Sequence, residues 1–305
     1  MTEKVKLILN PMSAMGAGWR AASDLRPIAA QHGGVEWSGT VYPSHATELA
    51  RQAGLDGYDR VVALGGDGTV HEVVNGLMQV PAAQRPALGV VPLGSGNDFA
   101  WALGLPAAPD RALEQALSGP TSPVDIGLMT DENGRREYFD NTVGLGFDAV
   151  VTIRSHKLPI LRGFAMYLTA VIQTILLNHH PNVLKASGED LDWQAEVLMF
   201  TLCNGAREGG GFQIAPEAKN DDGLFNYLLV GKCDRLTMFR LVPEFMRGTH
   251  ARFPQVRLGT CGNFNLTAER PMYVHADGEV FSSFGSNLKK LSFEMLPGAL
   301  KVVRG

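Results

Sequence analysis

Short apolar runs ending in small or polar residues, separated by stretches of helical periodicity, fill roughly the first 127 positions of the chain. "VKLILN" (5 to 10), "RVVALGG" (60 to 66) and "LGVVPLGSGN" (88 to 97) each read as a buried strand that runs into a turn. After the second run, Val70, Val73, Val74, Leu77 and Met78 recur at the spacing of one helix face. Strand, glycine turn and helix are contiguous there. The alternation predicts an α/β domain with a mainly parallel sheet as the middle of three layers.

Beyond about residue 128 the period shortens to two. "AEVLMFTLCN" (195 to 204), "LFNYLLV" (224 to 230), "NFNLTA" (263 to 268) and "PMYVHADGEVF" (271 to 281) predict an antiparallel β-sandwich domain. Helical patterns near 160 to 178 and 234 to 247 interrupt it, and "TDENGRRE" (130 to 137) reads as a loop or hairpin tip. The expected division is 1–127, completed by the C-terminal tail 297–305, and 128–296.

Composition narrows the function. A length of 305 residues, 45% of them hydrophobic, allows one large or two medium domains with their own cores. A net charge of -4 without any Lys/Arg tract argues against nucleic acid as a partner. Cys203, Cys233 and Cys261 lie too far apart for a redox pair or a cysteine zinc site, which fits a reducing cytoplasm. The opening "MTEKVKLILN" lacks the pattern of a secretion signal. The apolar stretch Gly163 to Leu177 covers 15 residues, short of the roughly 18 needed to span a bilayer. A cytoplasmic protein is expected, free to touch the inner face of the membrane as a peripheral protein.

The candidate chemistry starts at "VVALGGDGTVHEVV" (61 to 74), where Asp67 stands between glycines at a helix mouth. A helix beginning near Thr69 presents unpaired N–H groups and partial positive charge, and glycines let a phosphate approach the main chain. Thr69 and Glu72 equally fit a T-x-x-E capping box. A carboxylate beside a triphosphate is repulsive unless a divalent cation lies between them, and magnesium is the ion held by one or two carboxylates plus phosphate. The P-loop and protein-kinase signatures are absent from the sequence. Ligands of open α/β sheets collect at the carboxyl ends of the strands, which adds Asn10 and Ser13 after the first strand and Ser95, Asn97 and Asp98 after the third. Each also reads as turn or N-cap chemistry. Asp277-Gly278 between two alternating runs reads as a type I′ hairpin turn, and "NDDG" (220 to 223) as another turn. His71, His179, His180 and His275 have no ligand spacing and read as surface or core residues, with His275 near the acceptor site as a further option. Phe164, Tyr167, Leu168, Val171, Ile172, Ile175 and Leu176 share one helix face that reads as core, while Arg154, Lys157 and Arg162 before it suit anionic headgroups.

"GGDGTVHEVVNGL" (65 to 77) resembles the GGDGT block of the diacylglycerol kinase catalytic-domain family of lipid kinases. "ILNPMSAMG", "PLGSGNDFA", "YFDNTVGLGFDA" (138 to 149), "NG…GGGFQIAPEAKNDDGL" (204 to 224) and "HADGE" (275 to 279) resemble its other blocks, in the family's order and over nearly the whole chain. GGDGT alone is shared with NAD kinases; the ordered set is not. The resemblance implies an active site in the inter-domain cleft. It implies ATP contacts from Asn10, Pro11, Met12, Ser13 and Ala14, at Thr40, from Gly66, Asp67, Gly68, Thr69, Val70, His71 and Glu72, and at Ser95. It also places Glu279 in the nucleotide site, makes Asp277 the catalytic proton acceptor, and maps a structural magnesium site to Lys219, Asp222 and Leu224. Ala14, Ser95 and His71 stand where the family usually has glycine, threonine and asparagine.

The expected function is ATP- and magnesium-dependent phosphorylation of a lipid hydroxyl presented at a membrane surface. Asp98 and Asp125 are further candidates for the magnesium that accompanies ATP. An NAD kinase and a non-catalytic nucleotide- or lipid-binding sensor are the alternatives. A homodimer is open, since one edge strand or one apolar helix face suffices to make it.

Overall fold

A computed structural model describes residues 3 to 158, 163 to 189 and 191 to 305. The chain divides into two compact units, residues 1–126 with 298–305, and residues 127–297. Both dividing points fall inside long strands, β5 (Thr121–Asp131) and β17 (Lys290–Val303).

The first unit is built on β1 (Val5–Leu9), β2 (Val35–Gly39), β3 (Arg60–Gly65) and β4 (Ala87–Pro92). These pair in parallel in the order β2-β1-β3-β4, and Val302 of β17 lies beside Leu88. The order follows from right-handed crossovers through α1 (Ser13–His32), α2 (His45–Leu55) and α3 (Asp67–Leu77). Helices cover both faces of the sheet, so its strands are apolar on both sides rather than alternating. Val61, Val62, Ala63 and Leu64 are all completely buried. α1 and α5 (Pro109–Ser118) place Leu25, Ala29, Leu113 and Leu117 on Leu7, Val62 and Leu64. α2 and α3 pack against each other, with Val70, Val73, Val74 and Leu77 of α3 turned into the core. That helix starts two residues earlier than the capping-box reading places it, with Gly66 as an extended N-cap and Asp67 in the first turn. A short α4 (Asp98–Ala102) follows β4.

The second unit is antiparallel. β6 (Arg136–Phe139) pairs with β5 in a hairpin whose tip lies within "TDENGRRE". Then come β7 (Thr142–Gly146), α6 (Phe147–Ser155), α7 (Gly163–Leu177), β8 (Asn182–Gly188) and β9 (Asp192–Cys203). Residues 160 to 162, where the expected helix begins, lie outside the described residues, Arg162 among them. A small hairpin, β10 (Arg207–Glu208) with β11 (Phe212–Gln213), precedes β12 (Phe225–Gly231) and α8 (Arg235–Arg247). β13 (Val256–Cys261), β14 (Phe264–Ala268), β15 (Val274–Ala276) and β16 (Glu279–Ser282) complete it. β9 organises the sandwich. Its first half pairs with β8, and its second half pairs with β7 and β12. Its alternation also serves two cores: Phe200 and Leu202 join a cluster with Phe225, Phe264 and Phe293, whereas Met199 and Cys203 join α6, α7 and α8.

Candidate active site

In the first unit every strand of the parallel sheet ends at the same edge, so the segments after β1, β2, β3 and β4 gather there. The order β2-β1-β3-β4 reverses direction between β1 and β3, and such a switch point is where open α/β sheets hold ligands. The two segments at the switch are tied together: Asn10 Nδ2 donates to Thr69 Oγ1 at 3.1 Å. Asn10 Oδ1 also accepts from Met12 N at 3.0 Å, and Ser13 Oγ donates to the Asn10 carbonyl at 2.8 Å. Thr40 is held by its N–H on the Leu9 carbonyl at 2.8 Å. Ser95 is exposed on the segment after β4.

Glycine is required where two of these segments touch. A Cβ on Gly94 would lie 2.4 Å from Gly66 Cα, and one on Gly66 would lie 3.0 Å from Gly94 Cα. Asn97, at φ 53°, closes the loop by accepting from Gly94 N and donating to Gly94 O, both at 2.9 Å. The neighbouring main chain is thus brought to the mouth of α3.

Asp67 has a structural partner. Its carboxylate accepts from the main-chain N–H groups of Asn97 and Asp98, both at 2.7 Å, and of Phe99 at 3.4 Å, and so caps α4. Burial, and then the neighbouring Asp98 carboxylate, push its pKa up to about 6 against those donors. Glu72 does the same for another helix, accepting from Ser44 N at 2.8 Å and Ala46 N at 3.0 Å at the start of α2. The capping-box reading is therefore corrected: Glu72 caps α2, because α3 packs its second turn against the start of that helix. Val70 and His71 turn their side chains inward, the latter bonded to Asn75. Pro11 is partly buried and Met12 is exposed; the side chain of Ala14 lies outside the described residues. Gly68 completes the first turn of α3. Asp98 and Asp125 are both buried, and Asp125 accepts from Gly298 N at 2.7 Å.

In the second unit the Asp277-Gly278 turn has φ of 50° and 82°, the left-handed pair that a type I′ hairpin needs. Asp277 is buried at 7% exposure, and its carboxylate accepts from the N–H groups of Asp140 at 3.1 Å and of Asn141 and Thr142 at 2.9 Å. Three donors, two from the bend between β6 and β7 and one from the first residue of β7, thus fix one carboxylate. Glu279 is exposed at the start of β16. Lys219, Asp222 and Leu224 lie on an exposed turn in which Asp222 Oδ1 accepts from Leu224 N at 3.1 Å.

Next to the Asp277-Gly278 turn lies a group of residues that sequence spacing did not reveal. His275 is completely buried, with Nε2 at 3.2 Å from Glu208 Oε1 and 3.5 Å from Asp148 Oδ2. Tyr167 OH lies 3.2 Å from Asp148 Oδ1 and 3.1 Å from Glu208 Oε1, and Thr201 Oγ1 donates to Asp148 Oδ2 at 2.6 Å. A Cβ on Gly144 would come within 2.2 Å of His275 Nε2, so glycine there makes the room. Burial and then Asp148 raise the pKa of Glu208, while burial and then Glu208 hold Tyr167 well above its ordinary value. The residues come from α6, α7, β9, β10 and β15, which explains why no local motif announces them.

The description "Diacylglycerol kinase catalytic domain" matches residues 4–129, and "YegS C-terminal NAD kinase beta sandwich-like domain" matches residues 141–304. The chain belongs to the diacylglycerol kinase catalytic-domain family. Family membership makes it an enzyme of the lipid-kinase class. It is 41% identical over 304 residues to a Chromohalobacter salexigens protein named "Probable lipid kinase YegS-like", covering 96% of this chain and 91% of that one. It is 31% identical over 243 residues to the diacylglycerol kinase of Bacillus subtilis, covering 79% and 77%. A crystal structure of a diacylglycerol kinase from Bacillus anthracis superposes with a TM-score of 0.75 at 21% identity, covering 99% and 97%, which establishes the shared fold. Among the described residues no helix is long and apolar enough to cross a membrane.

Proposed function

We propose that this lipid kinase transfers the γ-phosphate of ATP to the hydroxyl of a diacylglycerol-like lipid. The observation that carries the reading is the gathering of the Asn10–Ser13, Gly66–Thr69 and Gly94–Asn97 segments at the switch between β1 and β3. Backbone N–H groups and the start of α3 suit phosphate oxygens, and the Gly66–Gly94 approach leaves main chain uncovered. Asp277 would take the proton of the attacking hydroxyl, and its three N–H donors hold it in one orientation for that task. Phosphoryl transfer asks little covalent chemistry of the protein, so positioning and charge neutralisation supply most of the rate.

Magnesium fits the oxygen-rich side chains present. Asp67, Asp98 and Asp125 are the carboxylates that would serve the ion accompanying ATP, where it would supply neutralisation of phosphate charge. Asp222 would hold a separate structural ion, with main-chain carbonyls of Lys219 and Leu224; all three donors are hard oxygens suited to that metal. Access to a lipid is supported by α8, whose Leu236, Phe239, Arg240, Pro243, Met246 and Arg247 form an exposed apolar and basic stripe. Ile172, Leu176 and Leu177 of the neighbouring α7 are exposed too. Such a surface suits contact with an anionic bilayer, as a peripheral protein on its cytoplasmic side.

The test is γ-phosphate transfer from labelled ATP, with magnesium, to a mixed-micelle panel of hydroxyl lipids and to NAD, run beside Asp277→Asn. Transfer to a lipid that vanishes in the variant supports the reading. The sandwich-domain description names NAD kinases, and transfer to NAD alone would favour that second reading instead.

A further inference from the structure

We propose that His275 is a positioning residue for Asp277: its neutral ring takes the Gly278 N–H on Nδ1 and points an Nε2 proton at the Asp148–Glu208 pair, fixing the turn that presents the carboxylate. The inference rests on the proton-acceptor role of Asp277 under the proposed function.

Gly278 N approaches His275 Nδ1 at 3.3 Å. An N–H can donate only to an unprotonated ring nitrogen, so the ring proton sits on Nε2. Nε2 faces Glu208 Oε1 at 3.2 Å and Asp148 Oδ2 at 3.5 Å, lying between the two without a well-aligned bond to either. The contacts form one line across the fold: Thr201 and Tyr167 hold Asp148, the carboxylates face the imidazole, and the imidazole holds the turn residue next to Asp277. β15 also pairs directly with β7, whose first residue donates its N–H to Asp277. The ring and the three-donor cradle therefore locate the carboxylate from two sides.

Two other occupancies of this cluster conflict with the geometry. Donor atoms of Asp148, Glu208 and His275 lie within 4.8 Å of one another, a spacing that a divalent cation could bridge. A metal on Nε2 would require a proton on Nδ1, which would then face the Gly278 N–H donor to donor. An imidazolium meets the same conflict. Burial lowers the His275 pKa, but Glu208 and then Asp148 outweigh it and lift the value to about 10. Those carboxylates favour a charged ring, whereas the Gly278 N–H on Nδ1 requires an unprotonated nitrogen there, and the proposal stands on that contact.

The first measurement is a 15N–1H correlation spectrum of the histidine rings in the whole protein from pH 6 to 8. The expected pattern is an Nε2–H tautomer for His275; an imidazolium or an Nδ1–H tautomer overturns the proposal. Asparagine places a side-chain oxygen near Nδ1, whereas glutamine places its amide near Nε2, so the two substitutions separate the two contacts. His275→Gln should lower kcat about 10- to 100-fold with KM for ATP unchanged, and His275→Asn should lose less. In an Asp277→Asn background His275→Gln should cost nothing further. A His275→Gln kcat within twofold of wild type, or an equal further loss without Asp277, overturns the proposal. Stoichiometric divalent metal that is lost on Glu208→Gln does so too. If His275→Gln fails to fold, the tautomer spectrum of the wild type decides. Failure of the wild type to phosphorylate any lipid would overturn the functional reading instead, and the spectrum still decides this one.

Discussion

Two Asp-Gly pairs, one in each unit, meet the same kind of partner in different surroundings. Asp67 and Asp277 each accept three main-chain N–H groups from a distant segment. The donors of Asp67 are the start of a helix, and burial, then the neighbouring Asp98, push its pKa up to about 6. Asp277 sits in the left-handed region at φ 50°, and its donors are the bend between two strands and the first residue after it. A carboxylate's hydrogen-bond count alone thus does not define its role. Burial, neighbouring charge and the backbone that carries the group set what it can do, and under the proposed function Asp67 serves the ion that accompanies ATP while Asp277 takes the hydroxyl proton.

The most severe test of this contrast is Asp277→Asn. Turnover should fall about 100-fold or more while KM for ATP stays within about twofold, as read by steady-state kinetics. Near wild-type turnover would make Asp277 a second cap and dissolve the difference. Gly94→Ala comes next, since its Cβ would collide with Gly66 Cα at 2.4 Å. A loss of about 1–3 kcal/mol is expected in denaturant unfolding, together with weaker ATP binding.

The pH dependence of stability sharpens the Asp67 side. Its folded pKa of about 6 exceeds the ordinary 3.8, so between these values the native state holds a proton that the unfolded chain has released. This contribution is present below pH 4 and is lost as the pH rises through about 6, about 3 kcal/mol in all. Asp67→Asn should flatten the decline when unfolding free energy is measured across that window; an unchanged slope would reject the assignment. The smallest effect concerns the exposed helical stripe. Phe239→Glu should reduce sedimentation with anionic vesicles several-fold and leave kcat on a micellar short-chain acceptor unaltered; equal vesicle binding would remove α8 from the lipid-facing surface.

Much of the first unit was legible. The run "RVVALGG" with Val70, Val73, Val74 and Leu77 after it dictated a buried strand and an amphipathic helix, since burial of those side chains stabilises no other local geometry. The Asp277-Gly278 turn was legible for the same kind of reason, because that dipeptide tolerates two positive φ values in succession. Glu72 was not. Its spacing from Thr69 satisfied a local capping box, yet its carboxylate reaches Ser44 and Ala46 at the start of another helix. His275 is a core residue, one of the places its sequence context allows, but its partners were not legible: Asp148 and Glu208 lie far from it in sequence, and only the meeting of β10, β15 and α6 made them neighbours.

By itself, then, the sequence determined the principal buried strands, the helix after Gly66 and the glycine turns, which depend on periodicity and on residues a few positions apart, and the family, which depends on the order of its motifs. Tertiary structure decided what the charged groups do. A carboxylate's partner is whichever donor packing brings within about 3 Å, and for Asp67, Glu72, Asp148, Glu208 and Asp277 those donors come from other elements of the chain.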